Sequence, residues 1–172
     1  MPRFSGSPLL CYPASWRNRL GTGVPELRLP RNQIELAGIH DLRDTVLFKG
    51  RGRSDYDRHH PDDQSPNNHF MGFWQDDELL GTLRVDFLDD ETAALRLVAV
   101  EPHLQGRGIG RKMIVAAEQF ISAAGCCRVV TNAASDAAQF YSRLGYEEVP
   151  WDDPGEGAGG PIVPMQKQLS PR

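Results

Sequence analysis

Cysteine is scarce: the 172-residue chain has three, Cys11, Cys126 and Cys127. An odd, sparse set without metal-ligand spacing reads as reduced thiols in a cytoplasm, not as a disulfide framework or a metal site. Adjacent Cys126 and Cys127 admit a strained vicinal disulfide, but two ordinary thiols are the better reading. Long apolar runs are also missing. The longest covers residues 113–117, against the ~20 residues a membrane-spanning helix needs, so no membrane partner is expected. Near the N-terminus, Pro8 and Pro13 interrupt a short apolar stretch and no small-residue cleavage site follows, so no signal peptide is expected. Positive charge is in deficit. Nineteen Lys and Arg against 23 Asp and Glu leave a net charge of −4, which argues against a nucleic-acid partner and suits a soluble protein with a cationic substrate. Glycine (17) and proline (13) stay below the share of roughly 25–30% that marks low complexity. Internal repeats are absent.

What is present fits one domain of about 150 residues, able to bury roughly 70% of its unfolded surface without a staple. Residues 1–24 read as an irregular extension, and residues 25–172 as the domain. Glu26-Leu27-Arg28-Leu29 alternates like a short strand. Asn32 followed by Glu35 has the capping-box pattern, and Ile39, Leu42, Val46 and Leu47 recur at helical spacing up to Gly50. Residues 50–69 are almost free of apolar side chains, and loops of this length tend to be functional. Three strands follow, at 70–74, 79–87 and 93–100, as an antiparallel meander with Leu83, Val85 and Phe87 on one face. A glycine-rich turn opens a helix to about residue 124, with Met113, Ala117, Phe120 and Ala124 along one side. A strand at 128–131, a helix at 134–144, and strands at 146–151 and 162–169 complete an α/β chain with a mixed, mostly antiparallel sheet flanked by helices.

The chemistry-bearing block is Leu97-Val98-Ala99-Val100-Glu101-Pro102-His103-Leu104-Gln105-Gly106-Arg107-Gly108-Ile109-Gly110-Arg111. A strand runs into a glycine turn, and the turn opens a helix whose first N–H groups lack internal partners. The helix dipole adds partial positive charge there, which makes a pyrophosphate cradle. A P-loop needs Lys-Ser or Lys-Thr after its last glycine, but Lys112 is followed by Met113. A dinucleotide fold needs a glycine directly after the strand and an acid ~20 residues on, but five residues intervene and the next strand ends in Thr131-Asn132.

Gln105 to Gly110 matches Q/R-x-x-G-x-G/A, and with its strand it resembles motif A of the GNAT family of N-acetyltransferases. Phe140-Tyr141-Ser142-Arg143-Leu144-Gly145-Tyr146 resembles that family's second signature. Val163-Pro164-Met165-Gln166-Lys167 is similar to its usual last strand. The resemblance covers roughly residues 25–169.

It implies an acyl-CoA ligand, acetyl-CoA as the acyl donor, with its pyrophosphate on Gly106, Gly108, Ile109, Gly110 and Arg111 and flanked by Gln105 and Arg107. The pantetheine arm would lie along Val98-Ala99-Val100, and backbone donors near Val100 would polarise the thioester carbonyl and stabilise the oxyanion. Tyr141 would protonate the departing thiolate, and Asn132 would either bind pantetheine or cap the next helix. Glu101 is the candidate general base, with Asp86, Glu78 and an ordered water as alternatives. Cys126 and Cys127 lie away from the cofactor end, so direct attack in a ternary complex is expected over an acyl-cysteine. The acceptor is an amine of a small molecule or peptide, helped by the polar loop at 50–69. The contiguous His59, His60, Asp62 and Asp63 of that loop are not expected to hold a metal. Asp152, Asp153 and Glu156 read as a solvated charge cluster. Similar proteins are commonly dimers, so a homodimer stays open. The alternative function is a non-catalytic acyl-CoA sensor.

Overall fold

A computed structural model describes residues 23–154 and 160–170. Cys11, Glu156 and nearly all of the N-terminal extension lie outside the described residues. In chain order the elements are β1 (Glu26–Arg28), α1 (Gln33–Arg43), β2 (Asn68–Gln75), β3 (Glu78–Phe87), β4 (Thr92–Val100), α2 (Ile109–Ala123), β5 (Arg128–Ala134), α3 (Ala138–Ser142), β6 (Glu147–Glu148) and β7 (Ile162–Gln168). The order is the one expected from the sequence. The strands form one seven-stranded sheet, β1-β2-β3-β4-β5-β7-β6, antiparallel except for the pair β4–β5.

Each helix sits where its apolar stripe dictates. Met113, Ile114, Ala117, Phe120 and Ile121 of α2 are buried, and they join Leu83, Val85 and Leu95 of the sheet in the main core. Ala124 lies at the C-cap and is exposed. On the opposite face Ile39 of α1 packs with Phe70 and Trp74 of β2. Asn32 caps α1 by accepting from the N–H groups of Ile34 and Glu35. Glu35 does not return the bond, because its carboxylate takes the Arg28 and Arg31 guanidiniums instead. After α1 the chain widens into a π-helical turn, Asp44–Phe48, then a tight turn, Lys49–Arg51. Later in the 50–69 loop comes a second 3-10 turn, Pro61–Gln64.

Several elements end elsewhere than expected: α1 stops at Arg43, short of Gly50, and β5 runs past Thr131 to Ala134. α3 starts at Ala138 and not at Ala134, because Ala134 is still paired in the sheet, opposite Ile162 of β7. Ladder pairing there overrides a helix-compatible sequence. The strand expected at 146–151 shrinks to Glu147–Glu148, since the chain then leaves the sheet toward β4.

Candidate functional site

β4 and β5 make a short parallel ladder, Thr92, Ala93 and Ala94 with Arg128, Val129 and Val130, and it stops there. From Leu95 onward the two strands diverge. Thr131 Oγ1 donates to the Leu95 carbonyl at 2.9 Å and closes the vertex. Past that point the β5-facing edge of β4 has main-chain groups with no ladder partner, open to an extended ligand.

Just beyond the vertex β4 carries a bulge. Thr82 pairs with Ala99 but Arg84 pairs with Arg96, so Leu97 and Val98 together face the single residue Leu83. Leu97 takes φ +51°, a left-handed conformation that costs a side-chain-bearing residue roughly 1–2 kcal/mol. The bulge shifts the strand's alternation by one. Ala93 and Leu95 enter the main core before it, and Val98 and Val100 pack against that core after it. A bulge leaves its extra residue out of the ladder, which frees amides at the mouth of the splay.

The glycine turn follows β4. Gly106 (φ +75°) and Gly108 (φ +82°) are left-handed, a conformation open to glycine without penalty. Gly108 caps α2 without any side-chain bond, so the N–H groups of Ile109, Gly110 and Arg111 have no helical acceptor. Gln105 anchors the turn by donating from its amide to the Val100 carbonyl at 3.1 Å. Arg107 and Arg111 are exposed beside it. Gly110 also serves packing, since a Cβ there would meet Phe140 at 3.3 Å and Val100 at 3.6 Å. That contact fixes α3 against the first turn of α2.

The splay opens into a cleft of about 420 Å³. Its lining includes Leu97, Val98, Thr131, Asn132 and Tyr141 on the strand side. Phe48, Tyr56, His60, Asp62 and Asp63 line the side of the 50–69 loop. Tyr141 is buried among Phe140 and Tyr146, with ring centroids 5.2 and 5.3 Å away. Burial pushes its phenol up to about 12, and the neighbouring Thr131 hydroxyl offsets part of that rise. The group is therefore a protonated donor at any physiological pH.

Asn132 does not cap α3, whose N-cap is Ala137. It donates instead to Asp153 Oδ2 at 2.6 Å. Asp153 is thus not the solvated charge expected from its acidic loop; it is drawn onto the sheet by Asn132 and by Arg96.

The cleft lining does not include Glu101. It borders a second cavity of about 430 Å³ with Glu78 and His103, whose imidazole stands 3.9 Å from each carboxylate. Asp86 is buried, and both its oxygens accept from guanidiniums, those of Arg84 and Arg96. None of the three proposed carboxylates lines the cleft. Cys126 is buried, and burial raises its thiol to about 11; Cys127 is exposed, and both are free thiols. Among the described residues no cluster of three or more His, Cys, Asp or Glu is arranged for a metal ion. No described helix is long and apolar enough to cross a membrane.

The sequence reading missed the charged floor of this cleft. Arg84 is 4% exposed and Arg43 0%, and both pair with Asp63, at 3.0 and 3.2 Å. It also missed Tyr56, whose hydroxyl lies 2.7 Å from His40 Nδ1. His40 is buried, and burial with the nearby Arg43 lowers its pKa, so it meets the Tyr56 hydroxyl as a neutral imidazole.

Solved structures share this arrangement of elements. An acetyltransferase from Streptococcus agalactiae superposes with a TM-score of 0.69 at 20% identity, covering 84% of this chain and 98% of its own. An aminoglycoside 6'-N-acetyltransferase complexed with coenzyme A gives 0.70 at 16% identity, over 87% and 98%. An acyl-CoA N-acyltransferase from Pseudomonas aeruginosa gives 0.67 at 20%, over 84% and 98%. At these identities the likeness is one of fold. Residues 56–169 match the acetyltransferase (GNAT) domain family in sequence, and with well over half the chain matched, this protein belongs to the GNAT acetyltransferases.

Proposed function

We propose that the protein transfers an acetyl group from acetyl-CoA to the amine of a small molecule or peptide by direct attack in a ternary complex. The observation that carries this reading is the splay of β4 from β5 directly before a left-handed glycine turn. A pantetheine arm fits the open edge of β4 as an extra strand, and the diphosphate fits the N–H groups from Gly106 to Arg111. The carbonyl oxygen of the thioester lies by the bulge amides at Leu97 and Val98. These donors are fixed before reaction, so they stabilise the developing oxyanion without reorganisation.

The amine attacks the thioester carbon from the 50–69 side of the cleft. The C–N bond forms, the tetrahedral oxyanion collapses, and the C–S bond breaks. Tyr141 donates its hydroxyl hydrogen bond to the departing sulfur. The amine's proton leaves through the open cleft to solvent and ultimately replaces the acyl group on the thiol. Glu101, bordering the other cavity, takes no part in this scheme. The burial and raised pKa of Cys126 favour direct attack over an acyl-cysteine, because a thiol held protonated is a poor nucleophile.

The test is a panel of amines incubated with acetyl-CoA and read by free-thiol release, alongside calorimetric titration of coenzyme A. Turnover with at least one amine and saturable coenzyme A binding are expected. Binding without turnover on any amine would support a non-catalytic acyl-CoA sensor instead. Absence of both would refute the reading.

A further inference from the structure

One chain of charged hydrogen bonds runs beneath the cleft, and its members Asp63, Arg84, Arg96, Asn132 and Asp153 line it. It starts on α1, where Arg43 Nη1 donates to Asp63 at 3.2 Å. Asp63 accepts from Arg84 of β3 at 3.0 Å. Arg84 forks onto Asp86 at 2.7 and 2.9 Å. Asp86 accepts from Arg96 Nε of β4 at 2.7 Å. The two remaining Arg96 nitrogens fork onto Asp153, one at 2.9 Å. Asp153 then accepts from Asn132 of β5 at 2.6 Å. Arg84 and Arg96 are direct cross-strand partners, so two like charges face each other, and they are tolerable only with carboxylates interleaved.

Arg96 immediately precedes the bulge. Leu97 holds a left-handed conformation without being glycine, and such strain persists only where the surroundings over-determine it. Three ties do so here. Thr131 grips the Leu95 carbonyl, Gln105 grips the Val100 carbonyl, and Arg96 locks the middle by using both edges of its guanidinium on different elements. Asp153 arrives from the segment between β6 and β7, and through Arg96 and Asn132 it ties β4 to β5 across the open splay.

We propose that Arg96 is the positioning residue that holds the Leu97–Val98 bulge, and with it the oxyanion donors, by bridging Asp86 and Asp153. Its kinetic consequence rests on the acyl-transfer reading above; its structural consequence does not. A lysine keeps the charge of Arg96 but has no planar fork with which to serve two carboxylates at once.

The test uses Arg96→Lys and Asp153→Asn, with the exposed neighbour Asp152→Asn as control, in the full chain. Backbone hydrogen exchange is followed across residues 81–82 and 96–100, with kcat, KM for acetyl-CoA and thermal melting alongside. Arg96→Lys is expected to speed exchange at the ladder-paired residues flanking the bulge, Ala99 and Val100 and their partners Thr82 and Gly81, by roughly tenfold or more while the amides of β2 and α2 keep their rates. It should lower kcat by about 10-fold or more with KM for acetyl-CoA within about threefold, as loss of oxyanion alignment requires. Asp153→Asn should move both readouts the same way by less, and Asp152→Asn neither. If Arg96→Lys does not fold, Asp153→Asn alone decides the matter. Unchanged exchange at Ala99, Val100 and their β3 partners Thr82 and Gly81, or exchange that rises evenly over the whole sheet, overturns the proposal. A selective rise in exchange in a protein whose wild type turns over acetyl-CoA with no amine refutes the acyl-transfer reading and leaves the positioning role standing.

Discussion

Replacing Tyr141 by phenylalanine tests the chemistry with the least disturbance of shape. The ring is 4% exposed and packed edge-on between Phe140 and Tyr146, so loss of the hydroxyl leaves the packing intact. The size of the effect follows from proton affinities. The buried phenol titrates at about 12, while an ordinary alkyl thiol titrates near ~8.5. A phenol raised by burial holds its proton firmly and is better suited to hydrogen bonding than to giving the proton up completely. On the proposed reading Tyr141 is a hydrogen-bond donor to sulfur as negative charge builds, worth about 1.5–3 kcal/mol for a charged acceptor. Tyr141→Phe should lower kcat by about 10–150-fold and leave the coenzyme A dissociation constant within about twofold, because the donor acts only as the bond breaks. Stopped-time thiol release and calorimetry measure the two quantities. The raised pKa adds an alkaline signature. Folded and unfolded chains both keep this proton below pH 10; between pH 10 and 12 only the folded one does. Wild-type stability should then fall through that window by about 2–3 kcal/mol more than that of Tyr141→Phe, read by denaturant melts. A kcat within threefold of wild type, or a loss of coenzyme A affinity that matches the loss of rate, refutes the donor role.

Other consequences are more local. Gly108→Ala adds a Cβ that meets nothing within 4 Å, but at φ +82° the backbone cost alone is about 1–2 kcal/mol. The melting temperature should drop by roughly 2–6 °C, and coenzyme A should bind more weakly by calorimetry if the turn carries the diphosphate. At pH 8, iodoacetamide should label exposed Cys127 while Cys126, its thiol near 11, reacts about 100-fold more slowly or less; peptide mapping separates the two. Glu35 is pushed up by partial burial, but the Arg28 and Arg31 guanidiniums outweigh this and hold it at about 2. Its stabilisation is complete above pH 4.5 and is lost as pH falls from there toward 2. Acid melts of Glu35→Gln should show a shallower fall over that range than wild type.

The element order and the glycine turn were legible because they are written in local periodicity and turn chemistry. The alternation of Leu83, Val85 and Phe87 marks a strand whatever its partners are. The left-handed turn at Gly106 and Gly108 is nearly forced by residue type. The ends of α3 and β6 were not legible, since they depend on β7 pairing with Ala134 from 28 residues away. The charged floor was hidden for a different reason. Arg84 and Asp86 alternate with apolar residues, which in a one-sided sheet means a solvated face. Here α1 and the 61–64 turn cover that face, so the same pattern becomes a buried ion network. The available signal was that helical residues 33–43, with Ile39 and Leu42, needed a sheet face to cover, and this was the free one.

The bulge shows in which β4 residues reach the core. Ala93 and Leu95 occupy one phase of the strand, while Val98 and Val100 occupy the other, and both sets pack with the same core. A strand cannot change phase without an extra residue, and core membership changes phase between Leu95 and Val98; residues 97–100 are all apolar, so the sequence alone fits either phase. A purely structural strand has no reason to accept that slip, because it forfeits ladder pairing and puts Leu97 in a strained conformation. The slip coincides with the place where β4 loses β5 and where the Arg96 ties converge. Three independent departures from regular sheet structure thus fall within about four residues of one another, immediately upstream of the helix terminus suited to a diphosphate. A change of phase in an otherwise regular strand, followed by a glycine turn into a helix, is the combination on which the proposed thioester site rests.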